Sequence, residues 1–233
     1  MATISGAIFD CDGTLLDSMP MWRTAFSDLV GRHGVEATDE MQRHVEPLTL
    51  QQSCGWLHEE LGLGESGDAL YRELTDWVRE QYATTVAEMP GARGFLESLA
   101  AAGIPMIIAT STPSELVRGA LEVHGLDGYF GDIVSTAEVR RGLDKEFPDV
   151  YLEALERLAV PLPEVWVFED APFGVRTARR AGFHVAAIYN DHDGRDESFV
   201  HAWADLFSHE YDTLTLDAIR AFDDAARVAP PEE

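Results

Sequence analysis

Lysine is nearly absent from this sequence. It occurs once, at Lys145, and the rest of the 17 basic residues are arginine. Basic residues are few altogether, against 42 Asp and Glu, and the formal net charge is -25. So acidic a chain repels polyanions, which excludes nucleic acid and anionic membranes as general partners. Cysteine is scarce too. Cys11 and Cys54 provide no disulfide framework and suit a reducing compartment. No apolar run is long enough to span a bilayer, and Met1 to Phe9 lacks the basic start of a signal peptide. A cytoplasmic protein is expected, acting as a monomer or weak dimer. What remains is ordinary for a globular chain: 233 residues, 45% hydrophobic and 25% charged, enough for one large domain or a core with an insert.

The stretch Ile8-Phe9-Asp10-Cys11-Asp12-Gly13-Thr14-Leu15-Leu16-Asp17 organises the rest. Ile4 to Phe9 reads as a short buried strand. It delivers Asp10 and Asp12, which share a face if the segment stays extended. Two crowded carboxylates need a cation or a shared proton to relieve them, so the pair suggests nucleophilic or metal chemistry with proton transfer. A solvated Asp-rich turn is the plain alternative. Cys11 lacks a nearby His and, on a strand, points to the other face. The lone Lys145, between Asp144 and Glu146, marks a position that needs a compact point charge, unless a surface lysine has survived by chance.

From Ser18 to about Val86 the pattern is helical. Trp22, Phe26, Leu29 and Val30 mark a first helix; Met41 and Val45 a second, stopped by Pro47; Trp56, Leu57 and Leu61 a third; Leu70 to Val86 a fourth. After Met89-Pro90-Gly91 helices and strands alternate. Strands are expected at Pro105 to Ala109, Asp132 to Ser135, Val165 to Phe168 and His184 to Ile188, with an edge strand at Leu206-Phe207. Helices are expected at Ala92 to Ala102, from Pro113 to about Val123, Phe147 to Leu158, Pro172 to Ala181 and Leu214 to Ala226, with a frayed tail from Val228 to Glu233. Thr112 is read as an N-cap, with Glu115 closing a capping box.

Alternating elements imply right-handed crossovers and a parallel sheet, with sites at the carboxyl ends of the strands. Asp10 and Asp12, Thr110 and Ser111, and Glu169 and Asp170 all fall at such ends. Neighbouring strands would gather them. The helix after Thr110-Ser111 favours an anion at its start. The acidic edge offers hard oxygen ligands, which point to Mg²⁺.

Four segments in this order resemble the haloacid dehalogenase superfamily, in the β-phosphoglucomutase and phosphoglycolate phosphatase-like branch with a helical cap. Phe9-Asp10-Cys11-Asp12-Gly13-Thr14-Leu15-Leu16-Asp17-Ser18 is similar to the family's first motif, the strand ending in Thr110 to the second, Lys145 with Pro148-Asp149 to the third, and Phe168-Glu169-Asp170 with Gly174 to the fourth. Glu146-Phe147 departs from it, since relatives often carry Pro after the lysine. The resemblance implies an α/β fold, a Rossmann-like parallel core of residues 1–17 and 90–233, with an all-helical cap of residues 18–89 inserted.

The resemblance also assigns roles. Asp10 is the nucleophile and forms an aspartyl phosphate, and Asp12 is the acid/base. Thr110 and Lys145 bind the phosphoryl group; Ser111, at the same helix start, and Trp22, which can stack on a sugar face, are the further substrate-binding candidates read from the residues themselves. Asp10, the Asp12 carbonyl and Asp170 hold Mg²⁺, with Glu169 at the same metal. Asp12 argues against a dehalogenase or phosphonatase. Phosphatase and phosphomutase remain. The mutases carry His where this chain has Trp22, and an Arg in a stretch that matches Glu46 to Ser53, which has no basic residue; Arg43 and His44 lie just before it. A phosphatase for a small sugar or polyol phosphate is therefore expected. A metabolite-binding regulatory protein without turnover is the reading from another class.

Overall fold

In a computed structural model, residues 3–45, 48–139, 144–190, 196–223, 225 and 227–229 are described. Glu46 and Pro47, the far end of the helix expected to reach Ala226 and the tail from Pro230 lie outside the described residues. The chain divides into two compact units, Met1–Asp17 with Ala87–Glu233, and Ser18–Val86.

The first unit is an α/β fold around a six-stranded sheet in the order β3-β2-β1-β4-β5-β6, every pair parallel. The strands are β1 Gly6–Phe9, β2 Met106–Thr110, β3 Phe130–Ser135, β4 Val165–Glu169, β5 His184–Ile188 and β6 Leu206–Ser208. β1, β2, β4 and β5 are buried along their whole length, which is why they read as short apolar runs rather than alternations. Residues of opposite parity feed two cores. Ile8, Ile107, Val167 and Val185 pack with Tyr151 and Ala154, Val175 and Ala178, and Val200 and Trp203. These come from α7 Asp149–Leu158, α8 Pro172–Arg180 and α9 Glu197–Trp203. On the other face Phe9 stacks on Phe168 at 4.3 Å, and Phe95 of α5 Ala92–Ala101 meets both edge-on.

Ala87 to Met89, counted with the helical insert above, group with this unit. Asp17 N–H donates to Ala87 O, and Met89 N–H to Leu15 O. The other differences from expectation are local. α7 starts at Asp149, since Pro148 disfavours a helical Phe147 before it. α10 Leu216–Ala221 is short: Thr215 caps it, and Phe222 turns extended to pack against Trp166 and His184. α9 was not foreseen, although Asp196 caps it by accepting from Phe199 N–H. Thr112 is no cap. α6 Ser114–His124 starts behind Pro113 with no side-chain cap bond, and the Thr112 hydroxyl is used elsewhere.

The second unit holds α1 Met19–Arg32, α2 Asp39–Val45, α3 Leu50–Leu61 and α4 Gly67–Thr84. Thr49 and Gln52 form a reciprocal capping box on α3. Leu57, Leu70 and Val78 are fully buried. Among the described residues no helix is long and apolar enough to cross a membrane.

Candidate active site

The carboxyl ends of β1, β2 and β4 are adjacent, because β1 lies between β2 and β4. β1 ends at Phe9, so Asp10 is the first residue past the strand, and its N–H still donates to Phe168 O across to β4. Gly13 then turns the chain with φ +85°, a region that side chains other than glycine's rarely adopt. The turn closes through Gly13 N–H to Leu16 O and Leu16 N–H to Cys11 O. Two partners from far along the chain hold it: Asn190 donates from Nδ2 to Gly13 O at 2.9 Å, and Tyr211 from its hydroxyl to Thr14 O at 3.1 Å.

Asp10, Glu169 and Asp170 form one buried group whose ligand oxygens lie within 4.8 Å of one another. Lys145 enters from the loop before α7. Its Nζ donates to Asp10 Oδ1 at 2.5 Å and to Glu169 Oε1 at 2.6 Å, and it is 2% exposed. Burial works against the ammonium, but Asp10 and Glu169 outweigh it and raise the Lys145 pKa, so the cation is permanent. Burial also pushes the Asp10 carboxyl well up. Lys145 pulls it down, while Glu169, Asp170 and Asp12 push the same way as burial. Among the described residues, three buried carboxylates thus cluster beside one ammonium, which pairs with Asp10 and Glu169. That excess of hard oxygen donors fits a divalent cation.

Glu169 is the member least open to such an ion. Oε1 accepts from Lys145 and from the Tyr151 hydroxyl at 2.8 Å, and Oε2 from the N–H groups of Asp170 and Ala171 at 2.9 and 3.0 Å. Asp170 accepts from the Thr14 hydroxyl at 3.2 Å. Asp12 is less buried than Asp10, and its Oδ2 accepts from the Thr112 hydroxyl at 2.7 Å. The cap fails because α6 begins one residue later than a Thr112 cap requires, with Pro113 at the cap position; the Thr112 hydroxyl instead donates to a carboxylate 100 positions away. Thr110 is buried. Its Oγ1 accepts from Thr112 N–H, which leaves its own hydrogen to donate. Ser111 is exposed. Cys11 is fully buried, and burial together with Asp12 and Asp10 keeps its thiol protonated.

The structure therefore brings Asp10, Asp12, Thr110, Lys145, Glu169 and Asp170 to neighbouring strand ends and adds Thr112, Tyr151, Asn190 and Tyr211. Trp22 belongs to the helical unit, on α1, partly buried, with its indole N–H buried and without an acceptor. In the same unit His44 stacks on Trp56 at 4.2 Å, and both line an open cleft of about 470 Å³ with Arg43.

Comparison with known proteins agrees with this arrangement. A family pattern described as haloacid dehalogenase-like hydrolase matches residues 7–188. This chain belongs to that family. The hydrolase is 34% identical to hexitol phosphatase A of Escherichia coli over 91% of this chain and 93% of the relative. It is 29% identical to a phosphorylated carbohydrates phosphatase of Thermotoga maritima, over 82% of this chain and 89% of the other. Its fold matches the crystal structure of CbbY from Rhodobacter sphaeroides in complex with phosphate, with a TM-score of 0.76 at 24% identity, over 94% of this chain and 100% of that one.

Proposed function

We propose that this hydrolase is a Mg²⁺-dependent phosphatase that cleaves a small phosphorylated metabolite, a sugar or polyol phosphate, through an aspartyl phosphate on Asp10. The observation that carries the reading is the buried group of Asp10, Glu169 and Asp170 at the strand ends, with the Lys145 ammonium paired to Asp10 and Glu169. Buried carboxylates that raise one another's pKa values beside a specific cation gather at functional sites. Two relatives named as phosphatases of carbohydrate or hexitol phosphates support the substrate class.

An Asp10 oxygen attacks phosphorus, the ester P–O bond breaks, and Asp12 gives its proton to the departing alkoxide. Water then attacks the acyl phosphate. Asp12 takes the proton back, and inorganic phosphate leaves with Asp10 restored. Lys145 and the Thr110 hydroxyl stabilise charge on the transferring phosphoryl group. Asp10, Asp170 and the main-chain carbonyl of Asp12 are the proposed Mg²⁺ ligands, and the bound ion would supply charge neutralisation between nucleophile and phosphate. The α/β unit is assigned the chemistry. The helical segment, residues 18–89 as first delimited, is assigned the choice of substrate, with Trp22 offering an aromatic face to a sugar.

The test is a phosphate-release screen over sugar, polyol, nucleotide and glycolate phosphates with Mg²⁺, repeated with chelator and with Asp10→Asn. Release that survives either control overturns the reading. A phosphomutase would share the aspartyl phosphate. Incubation with β-glucose 1-phosphate and a trace of the 1,6-bisphosphate separates the two: free phosphate is expected, and stoichiometric glucose 6-phosphate would assign the mutase.

A further inference from the structure

We infer that Tyr151 is a positioning residue for Lys145: its hydroxyl occupies one lone pair of Glu169 and thereby sets how that carboxylate shares the ammonium with Asp10. The inference rests on the reading of Asp10 and Lys145 as reacting groups. Tyr151 is fully buried on α7, a unit of structure with no other claim on a phenol hydroxyl in its core. Its O–H donates to Glu169 Oε1 at 2.8 Å, the same oxygen that receives Lys145 Nζ at 2.6 Å. With Oε2 taken by two backbone N–H groups, the four acceptor positions of the carboxylate are filled. Glu169 is then an anchor for Lys145 rather than a ligand for a cation. The Tyr151 ring adds a second constraint, with Lys145 Nζ 5.7 Å from its centroid.

Gly174 is an independent sign that this contact is built in. A Cβ there would lie 2.5 Å from Glu169 Oε1 and 2.8 Å from the Tyr151 hydroxyl. The start of α8 is therefore stripped to a hydrogen at the point where α7 and β4 exchange this bond. Sequence spacing alone ties Gly174 to the acidic motif; the structure shows what it leaves room for.

The hydroxyl has a directional effect. A donated hydrogen bond draws electron density from Glu169 Oε1 and weakens its hold on the ammonium. Without it, Oε1 keeps Lys145 as its one side-chain donor and competes harder with Asp10 for it. The lysine then sits further from the phosphoryl group as charge develops, which slows turnover more than it weakens substrate binding.

The experiment compares the wild-type chain with Tyr151→Phe, which keeps the ring. The kcat for p-nitrophenyl phosphate is expected to fall about tenfold. KM and the Mg²⁺ half-saturation should stay within about twofold, which separates positioning from general damage. A second readout needs no turnover. Because the chain has one lysine, ¹⁵N-labelled lysine gives one side-chain ammonium signal, and that signal should shift in Tyr151→Phe. An unshifted signal overturns the inference whatever the rates do. So does an unchanged kcat, and so does a tenfold rise in Mg²⁺ half-saturation, which would return Glu169 to the metal. If the wild-type protein releases phosphate from neither aryl nor metabolite esters, the catalytic reading fails by itself, and the ammonium signal still decides the role of Tyr151.

Discussion

The α/β unit buries charge in two places, and they are built in opposite ways. At the strand ends, among the described residues, three carboxylates cluster, Asp10, Glu169 and Asp170, and Lys145 pairs with the first two. Near the edge of the sheet, among the described residues, cations outnumber carboxylates: Arg179 and Arg227 both pair with Asp205, whose side chain is 2% exposed. The surplus guanidinium hydrogens go to neutral carbonyls, from Arg227 to Phe183 O and from Arg179 to Val228 O at 2.6 Å. Asp205 also accepts from Val185 N–H. The arginine cluster thus closes on itself and ties the segment at Arg227 and Val228 to β5 and α8. The planar fork of Arg suits such fixed, multiply bonded work, and a compact ammonium suits a site whose partners change. The lysine that the rest of the chain avoids stands at the second kind of place.

This contrast is sharpest for Asp10→Asn. Removing the proposed nucleophile is expected to lower turnover by at least about a thousandfold, as for other covalent catalysts. In metal-free buffer the same change should stabilise the fold. The folded-state pKa of Asp10 is raised above its unfolded value, so the native state holds a proton that the unfolded state releases. That costs stability as pH rises past the ordinary carboxylate value of about 4. The gain in Tm should therefore be absent at about pH 3 and present at about pH 7. A Tm that falls equally at both would mean that Asp10 is a structural counter-ion, like Asp205.

Asp205→Ala should behave in the reverse sense. Arg179, buried, and Arg227, half-buried, lose their carboxylate partner, at a cost of about 3 kcal/mol, or roughly 10 °C in Tm for a chain of this size. The kcat per folded molecule should not change. Lost turnover without lost stability would break the comparison. Asp170→Asn comes next: the Mg²⁺ half-saturation should rise at least about tenfold, with Tm little changed. Unchanged activity at limiting Mg²⁺ would remove Asp170 from the metal site.

The sequence carried the sheet well because its strands are short apolar runs that stop at polar residues, as at Phe9-Asp10 and Phe168-Glu169-Asp170. It carried less where a side chain chooses between a near and a distant partner. Thr112 looks like a cap because a cap is a local pattern, yet the helix starts one residue later behind Pro113, and the Thr112 hydroxyl donates to Asp12, a hundred positions earlier. Tyr151 reads as one more apolar residue of an amphipathic helix, and Asn190 as the polar end of a strand. Their bonds to Glu169 and to Gly13 exist only once the sheet is assembled. Glu169 shows the same limit from the other side: a motif groups it with Asp170, but only the geometry shows both of its oxygens engaged. Trp22 is illegible for another reason. Whether it meets a sugar depends on the substrate, and no periodicity encodes that.

The smallest expected effect concerns Thr112, a neutral donor at the rim of the acidic cluster. Its hydroxyl holds Asp12 Oδ2 at 2.7 Å, which would leave the other oxygen to trade a proton with the leaving group in the proposed reaction. Thr112→Val keeps the shape and loses that bond, while the N–H bond to Thr110 Oγ1 is untouched. The loss of one hydrogen bond to a partly exposed carboxylate predicts a drop of roughly 2–10-fold in kcat. The size should depend on the ester. An alkoxide leaving from a sugar or polyol phosphate needs its proton during bond cleavage, and p-nitrophenolate does not. A polyol phosphate should therefore suffer several times more than the aryl phosphate, at equal Tm. Equal losses for both esters would mean that Thr112 supports the turn rather than the acid, and the neutral rim would then belong with the self-contained arginine cluster instead of with the chemistry.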